Sequence, residues 1–395
     1  MITTMWRARH PRRAARIAGL LRVVLVTALT ACDAFTPSPL GVSPNSPNGG
    51  VTLAYRTFHE ASFGFQRLST DGTRVFASDG NGGIIAIDMA TGASVWTVRR
   101  ESASELGEVA LDGARVYTAS DSARGWDAAT GTLLWTRKLS SWASGNIGYA
   151  GEGQYYIGTD STIFALDGAT GEILWRKGVS DGWAYSGRVR SIAGDATTLY
   201  ACVGEPLEWN GWRTRGHVVA LDRATGEIRW RHVMAYETSF NFCIGEPTLA
   251  GDLVIVSDAG GNNYVALERS TGTLRWRHRG ELGWIGPHSS PVAVGETLYA
   301  ASGDQNIIAL DRASGRVIWK SQTLSSAQAA ARCGSVVLAN AFTLWVFDAR
   351  DGRELGREIS MQISRDEIMA SRFLVHDGYA YIVGLQRFYK WRCPK

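Results

Sequence analysis

A chain of 395 residues, 45% of them apolar, is long enough to bury a large core, and its 45 glycines favour many tight turns over long helices. Of the 41 lysines and arginines, six fall in the first 31 residues, all arginine. Beyond them 35 basic residues face 37 acidic ones, so the formal charge of +4 becomes −2. That near balance excludes a nucleic-acid partner held on a basic surface, because phosphate binding needs cations concentrated on the folded part.

Arg7, Arg9, Arg12, Arg13, Arg16 and Arg22 precede the apolar run VVLVTALTA at residues 23–31. A membrane-spanning helix needs about 20 residues, so this shorter run behind a basic leader reads as a secretory signal over residues 1–31. The junction LTAC at 29–32 resembles the bacterial lipobox. That resemblance implies lipidation of Cys32 and a membrane anchor; an ordinary signal with an incidental cysteine is the alternative. Residues 33–50 (DAFTPSPLGVSPNSPNGG) are too rich in proline, serine and glycine to bury a core. They read as a flexible tether spanning about 25 Å on average.

The remainder, residues 51–395, opens on VTLAYRTF (51–58), a strand with no neighbour in sequence. Then one phrase recurs: DMATGASVW (88–96), DAATGTLLW (127–135), DGATGEILW (167–175), DRATGEIRW (222–230), ERSTGTLRW (268–276), DRASGRVIW (311–319) and a decayed DARDGRELG (348–356). The tryptophans Trp96, Trp135, Trp175, Trp230, Trp276 and Trp319 lie 39, 40, 55, 46 and 43 residues apart. Such a period suits a four-stranded sheet and is too short for a domain. Within the phrase an acidic side chain can cap a turn and glycine can take φ > 0. The tryptophan then falls in the returning strand, where its ring can fill the space between two sheets.

A second hairpin stands upstream of each phrase, as in GDLVIVSD (251–258) and GETLYAASGD (295–304), so each unit predicts four antiparallel strands. Seven phrases give seven units, and RFLVHDG, YAYIVG and RFYKWRC (372–393) leave three strands lacking a fourth. Residues 51–58 supply it. The sequence thus predicts an all-β, eight-bladed propeller whose last blade joins both ends of the chain, with seven blades and loose ends as the alternative.

Repeats of the form AxDxxTGxxxW resemble the tryptophan-docking repeats of the pyrroloquinoline-quinone (PQQ) propeller superfamily, over nearly all of residues 51–395. Two branches bear on function: the quinoprotein alcohol dehydrogenases, which are enzymes, and the BamB-type lipoproteins of outer-membrane β-barrel assembly, which are binding scaffolds. The dehydrogenase resemblance implies two adjacent cysteines above the quinone, calcium ligands and an aspartate base. No CC pair occurs here. Asp304 with Asn306, or Asp258 with Asn262 and Asn263, stand where hairpin turns ordinarily use these residues. The histidines show no metal-ligand spacing, and no nucleophile or phosphate-loop motif is present. No catalytic residue, cofactor or metal is therefore expected.

Apart from Cys32 the chain has Cys202, Cys243, Cys333 and Cys393. In an exported chain, Cys202 with Cys243 would join blades four and five, and Cys333 with Cys393 blades seven and eight; four buried thiols are the alternative. Links between second and third strands, and between blades, share one face of a propeller. There the insertions gather Trp183, Tyr185, Trp209, Trp212, Arg213, Arg215, Tyr236, Phe240 and Trp284 over blades three to six. Aromatic and arginine side chains are typical interface anchors, although they also fold loops over a channel mouth. The expectation is a lipid-anchored, non-catalytic envelope scaffold that binds proteins or peptides, most like the BamB-type branch. Asp33 after the lipidated cysteine resembles an inner-membrane retention signal, whereas that branch sits in the outer membrane.

Overall fold

In a computed structural model the described residues are 50–59, 68–78, 83–99, 109–120, 122–139, 148–180, 187–206, 214–234, 243–258, 263–280, 290–302, 304–323, 329–340, 344–358, 373–383 and 387–395. All lie in the compact unit spanning residues 39–395. They form eight four-stranded antiparallel sheets, the blades of a propeller. Blade 1 comprises Ser69–Thr70, Arg74–Ser78, Ile84–Asp88 and Ser94–Val98. Blades 2 to 7 repeat that order over residues 110–138, 149–178, 188–233, 243–279, 292–322 and 329–358. Blade 8 takes Leu374–His376, Tyr379–Val383 and Arg387–Arg392 from one end of the chain and its outermost strand, Thr52–Phe58, from the other. Thr52 pairs with Arg392 and Phe58 with Arg387. The ring therefore has eight blades and closes between its two ends.

Second and third strands are almost wholly buried because both faces of each sheet meet a neighbour. In blade 4, Leu199, Ala201 and Val203 pack toward blade 3, while the alternate Tyr200 and Cys202 pack toward blade 5. Every one of the eight seams has such an apolar cluster, including blade 8 against blade 1. The core is a circle of seams.

Each letter of the repeated phrase has a physical task at a seam. The Asp127 carboxylate accepts from the amides of Ala129 (3.0 Å) and Thr130 (2.8 Å) and from the Thr130 hydroxyl (2.8 Å). Asp88, Asp167 and Asp222 do the same in their blades. The glycine adopts φ near +70°, as at Gly131 (72°) and Gly226 (74°). Over that glycine lies the tryptophan of the preceding blade; a Cβ added to Gly226 would stand 2.6 Å from Trp175 Cε3. The indole N–H donates to the carbonyl following the next blade's acidic residue: Trp96 to Ala128 (3.0 Å), Trp135 to Gly168 (2.9 Å), Trp175 to Arg223 (3.0 Å), Trp230 to Arg269 (2.8 Å), Trp276 to Arg312 (2.8 Å) and Trp319 to Ala349 (3.0 Å). Burying such a ring contributes about 4 kcal/mol by apolar area, and its hydrogen bond about 1 kcal/mol.

Two seams depart from the rule. Between blades 8 and 1 the tryptophan's place is taken by Tyr55, which follows the same one-residue bulge and donates its hydroxyl to Met89 O at 2.8 Å. A Cβ on Gly92 would collide with the Tyr55 ring. Between blades 7 and 8, Gly356 stands at the tryptophan's register in the outermost strand of blade 7. That seam instead buries Trp391 of blade 8 and carries the Cys333–Cys393 disulfide, with Cα atoms 5.0 Å apart. A second disulfide, Cys202–Cys243, joins blades 4 and 5 with Cα atoms 5.7 Å apart.

Gly226 and Gly153 both have positive φ (74° and 78°), yet only Gly226 lies under a ring, Gly153 having nothing within 4 Å of an added Cβ. Gly226→Ala is expected to cost about 3 kcal/mol in urea unfolding and Gly153→Ala about 1 kcal/mol. Equal losses would show that the indole contact is not what selects glycine. The disulfides close loops of 41 and 60 residues, each worth up to about 4 kcal/mol by loop entropy. Alkylation before and after reduction should differ by four thiols. Cys333→Ser should lower the unfolding midpoint, whereas an unchanged midpoint would assign blade 8's attachment to packing alone.

Candidate functional site

The two faces of the ring differ chemically. One carries the tight turns and a ring of carboxylates. Hydrogen bonds from turn hydroxyls and amides hold Asp88, Asp127, Asp167 and Asp311 below the ordinary carboxylate range. The Arg229 guanidinium, then the Thr225 amide, draws Asp222 down to about 2. Arginines following the acidic residue clamp neighbouring blades. Arg223 donates to Tyr156 Oη and Asp195 O, both at 2.8 Å, and Arg269 donates to Gly251 O at 2.8 Å and pairs with Asp195. The sequence marks these only as DR and ER before the TG step. Beside Arg223 a shallow pocket of about 280 Å³ is lined by Glu152, Thr197, Asp222 and Arg229. Its charges already pair with each other, as Arg229 does with Asp222 at 2.7 Å, so it is a seam feature rather than a reactive site.

The opposite face is elaborated at blades 4 and 5. The second and third strands of blade 4, Thr198–Pro206 and Thr214–Asp222, have nine residues each. The innermost strands of blades 4 and 5, Arg188–Gly194 and Cys243–Ala250, have seven and eight, against two to five in the other blades. Each is interrupted: Arg190 bulges out between Val189 and Ser191, and Gly245, Glu246 and Pro247 bulge out between Ile244 and Thr248. Such bulges re-aim side chains and recur beside functional sites. Hydrogen bonds fix the two strands in place: Ser191 Oγ donates to Gly245 O (2.6 Å), Glu246 N to Ser290 Oγ (2.7 Å) and Thr248 Oγ1 to Pro291 O (2.8 Å). The Cys202–Cys243 disulfide ties this inner strand of blade 5 to mid-strand in blade 4.

Charge collects here. Arg188 is exposed and Arg190 half-buried, and burial, then the like charge of Arg188, presses the Arg190 guanidinium below its ordinary value. Glu205 is fully buried and stands opposite Arg215 across the second and third strands of blade 4. His217 is also fully buried, its Nε2 3.1 Å from Val179 O and 3.0 Å from Arg231 Nη1. Of the expected partner-binding residues only Arg215 is described, half-buried in the third strand of blade 4. Trp183, Tyr185, Trp209, Trp212, Arg213, Tyr236, Phe240 and Trp284 lie outside the described residues, as does Cys32. The described strand ends flanking those segments all stand on this face, on blades 3 to 6. Sequence reading missed Arg188, Arg190, Glu205 and Glu246, whose signal is their place in unusually long inner strands.

The described residues considered for quinone chemistry stand at bridges and hairpin turns. The four described cysteines are engaged in two bridges of 41 and 60 residues' separation, with no vicinal pair. Among the described residues no group of three or more His, Cys, Asp or Glu could hold a metal ion. Asp304 lies 3.9 Å from Lys320 Nζ, and the Asn306 amide donates to Asp304 O at 2.8 Å. Asp258 and Asn263 are cross-strand partners at a hairpin end.

A family profile described as outer membrane protein assembly factor BamB matches residues 57–124, 80–239 and 214–392. The chain belongs to the BamB family. Among solved structures, BamB from Moraxella catarrhalis superposes with a TM-score of 0.66 at 16% identity, over 87% of this chain and 97% of that one. The quinohemoprotein alcohol dehydrogenase of Comamonas testosteroni superposes with a TM-score of 0.68 at 15% identity, over 89% of this chain and 79% of that one. At such identities the likeness is one of fold. Among curated proteins, the dehydrogenase subunit of a quinone alcohol dehydrogenase from Gluconacetobacter polyoxogenes is 32% identical over 149 residues, which is 34% of this chain and 19% of that protein. This BamB-family chain thus spans about a fifth of that relative's length.

The turn carboxylates give the ring a defined acid response. Because Asp222 ionises near 2 when folded and near 3.9 when unfolded, its contribution is present above about pH 4 and lost as pH falls through about 2. Asp222→Asn should be less stable by about 1 kcal/mol at pH 7, and the gap to wild type should close by pH 2. Urea unfolding across that range measures it, and a gap independent of pH would contradict the assignment.

Proposed function

We propose that this chain is a non-catalytic scaffold of the cell envelope, anchored by lipid on Cys32, that binds protein or peptide partners through the loop face of blades 3 to 6 and serves outer-membrane protein assembly. The observation that carries the reading is the paired elaboration of blades 4 and 5. Extended inner strands, bulges and an inter-blade disulfide build a rigid, charged rim around the channel on one face only. A rigid support is what a binding surface needs, since preorganised anchors lose less entropy on association, and the aromatic-rich segments adjoin these strands in sequence. An extended peptide fits this mouth better than the outer edge of the ring. There every outermost strand is bulged, which interrupts the ladder an added strand would need.

Co-purification from native membranes should recover β-barrel assembly components with the wild-type chain, and Arg215→Glu combined with Arg188→Glu should reduce that recovery at least fivefold. Equal recovery would move the interface elsewhere. Radiolabelled palmitate should enter the wild-type chain and not Cys32→Ser. Fractionation then places the protein, with Asp33 favouring the inner membrane. The matches to quinone dehydrogenase subunits support a second reading, an enzyme using pyrroloquinoline quinone. The purified protein supplied with that quinone and calcium should not reduce dye with ethanol; dye reduction would establish the enzyme.

A further inference from the structure

The mature sequence is nearly neutral, but its charge is sorted by position in the blade. The eight outermost strands hold twelve lysines and arginines against two glutamates, Glu354 and Glu358, both in blade 7. The turn face holds the carboxylates. The same outermost strands also hold most of the large apolar side chains exposed on the ring. The two properties coincide best at Leu133–Lys138 in blade 2 and Ile173–Gly178 in blade 3. Leu133, Leu134, Ile173 and Leu174 are 43 to 48% exposed, and the same two strands supply Arg137, Lys138, Arg176 and Lys177 with no carboxylate. Lys177 is paired with Glu227 at 2.9 Å and Arg137 donates to Gly171 O at 2.7 Å, whereas Lys138 and Arg176 are exposed.

We propose that the rim of blades 2 and 3 lies against an anionic lipid surface, with the four aliphatic side chains entering the headgroup boundary and Lys138 and Arg176 meeting lipid phosphates. This deepens the envelope reading and rests on it for the presence of a membrane beside the ring. Three features favour lipid over a protein partner. Leu134 and Leu174 are the bulge residues of their strands, so the edge is interrupted where an added strand would pair, while a fluid surface requires no register. Strands of aliphatic side chains among lysine and arginine have the composition of interfacial membrane segments, in which each unpaired cation adds attraction to anionic lipid, and the neighbouring Glu227 is neutralised by Lys177. Finally, Thr52–Phe58 is itself an outermost strand, in a blade two removed from this patch. A tether reaching about 25 Å then lets an anchored ring tip onto that edge.

The test uses the chain from Asp33 onward, which contains every strand of the ring and carries no lipid, so its result is independent of whether Cys32 is modified. In co-sedimentation at 50 mM NaCl it should bind vesicles of phosphatidylcholine with one quarter phosphatidylglycerol at least tenfold more strongly than pure phosphatidylcholine, and 500 mM NaCl should abolish the difference. Lys138→Glu with Arg176→Glu, and separately Leu134→Ser with Leu174→Ser, should each weaken binding at least tenfold. Hydrogen exchange on the wild-type chain locates the contact without mutation, and slowing confined to residues 133–138 and 173–178 is expected. Equal binding to both vesicle types, no binding, or protection elsewhere on the ring would overturn the proposal. Retention on an acidic polypeptide matrix without vesicle binding would overturn it in favour of a protein partner.

Discussion

An indole ring set on a glycine across the gap between two sheets is the contact on which the rest of this molecule depends. It fixes the spacing between blades, because no residue larger than glycine fits beneath the ring. It fixes their rotation as well, because the N–H must reach one carbonyl of the next turn. The acidic residue and threonine of the phrase shape that turn so that the carbonyl is presented outward. Repeated from seam to seam, this local unit makes the ring, and no element is required at the centre to hold the blades together.

Where the contact is absent another tie takes its place. The seam where Gly356 replaces the outer-strand tryptophan, between blades 7 and 8, carries a disulfide, whereas Tyr55 stands in for the indole between blades 8 and 1. The other disulfide sits at a seam that keeps its tryptophan, beside the bulged inner strands. The first bridge therefore serves the architecture. The second stiffens the wall of the channel mouth, where burial of Glu205 and His217 and the crowding of Arg188 on Arg190 already tax the fold.

The architecture was legible because each seam is written locally: the acid, the glycine and the tryptophan fall within nine residues, and their period counts the blades. Ring closure was legible by subtraction, three strands at one end and one at the other. Tyr55 was not legible as a tryptophan substitute, since its role depends on a register shared with Lys390 far along the chain. The candidate site was read only in outline. Loop length and aromatic content pointed to one face of blades 3 to 6, but Arg190 and Glu246 owe their positions to bulges, which leave no mark in composition. Arg223 and Arg269 look like surface charges in the sequence and prove to be inter-blade clamps, because a single residue's difference in the phrase says nothing of the neighbouring blade.

The eighth blade is built from the first and last of the described strands. Thr52–Phe58 leaves the ribosome before any partner exists and must remain unpaired until Arg387–Arg392 follows. Contacts so distant in sequence form slowly, and an open arc exposes the apolar face of its terminal blades until they do. A chain interrupted short of Arg387–Arg392 thus keeps an unclosed apolar edge, the kind of surface through which partly folded chains aggregate.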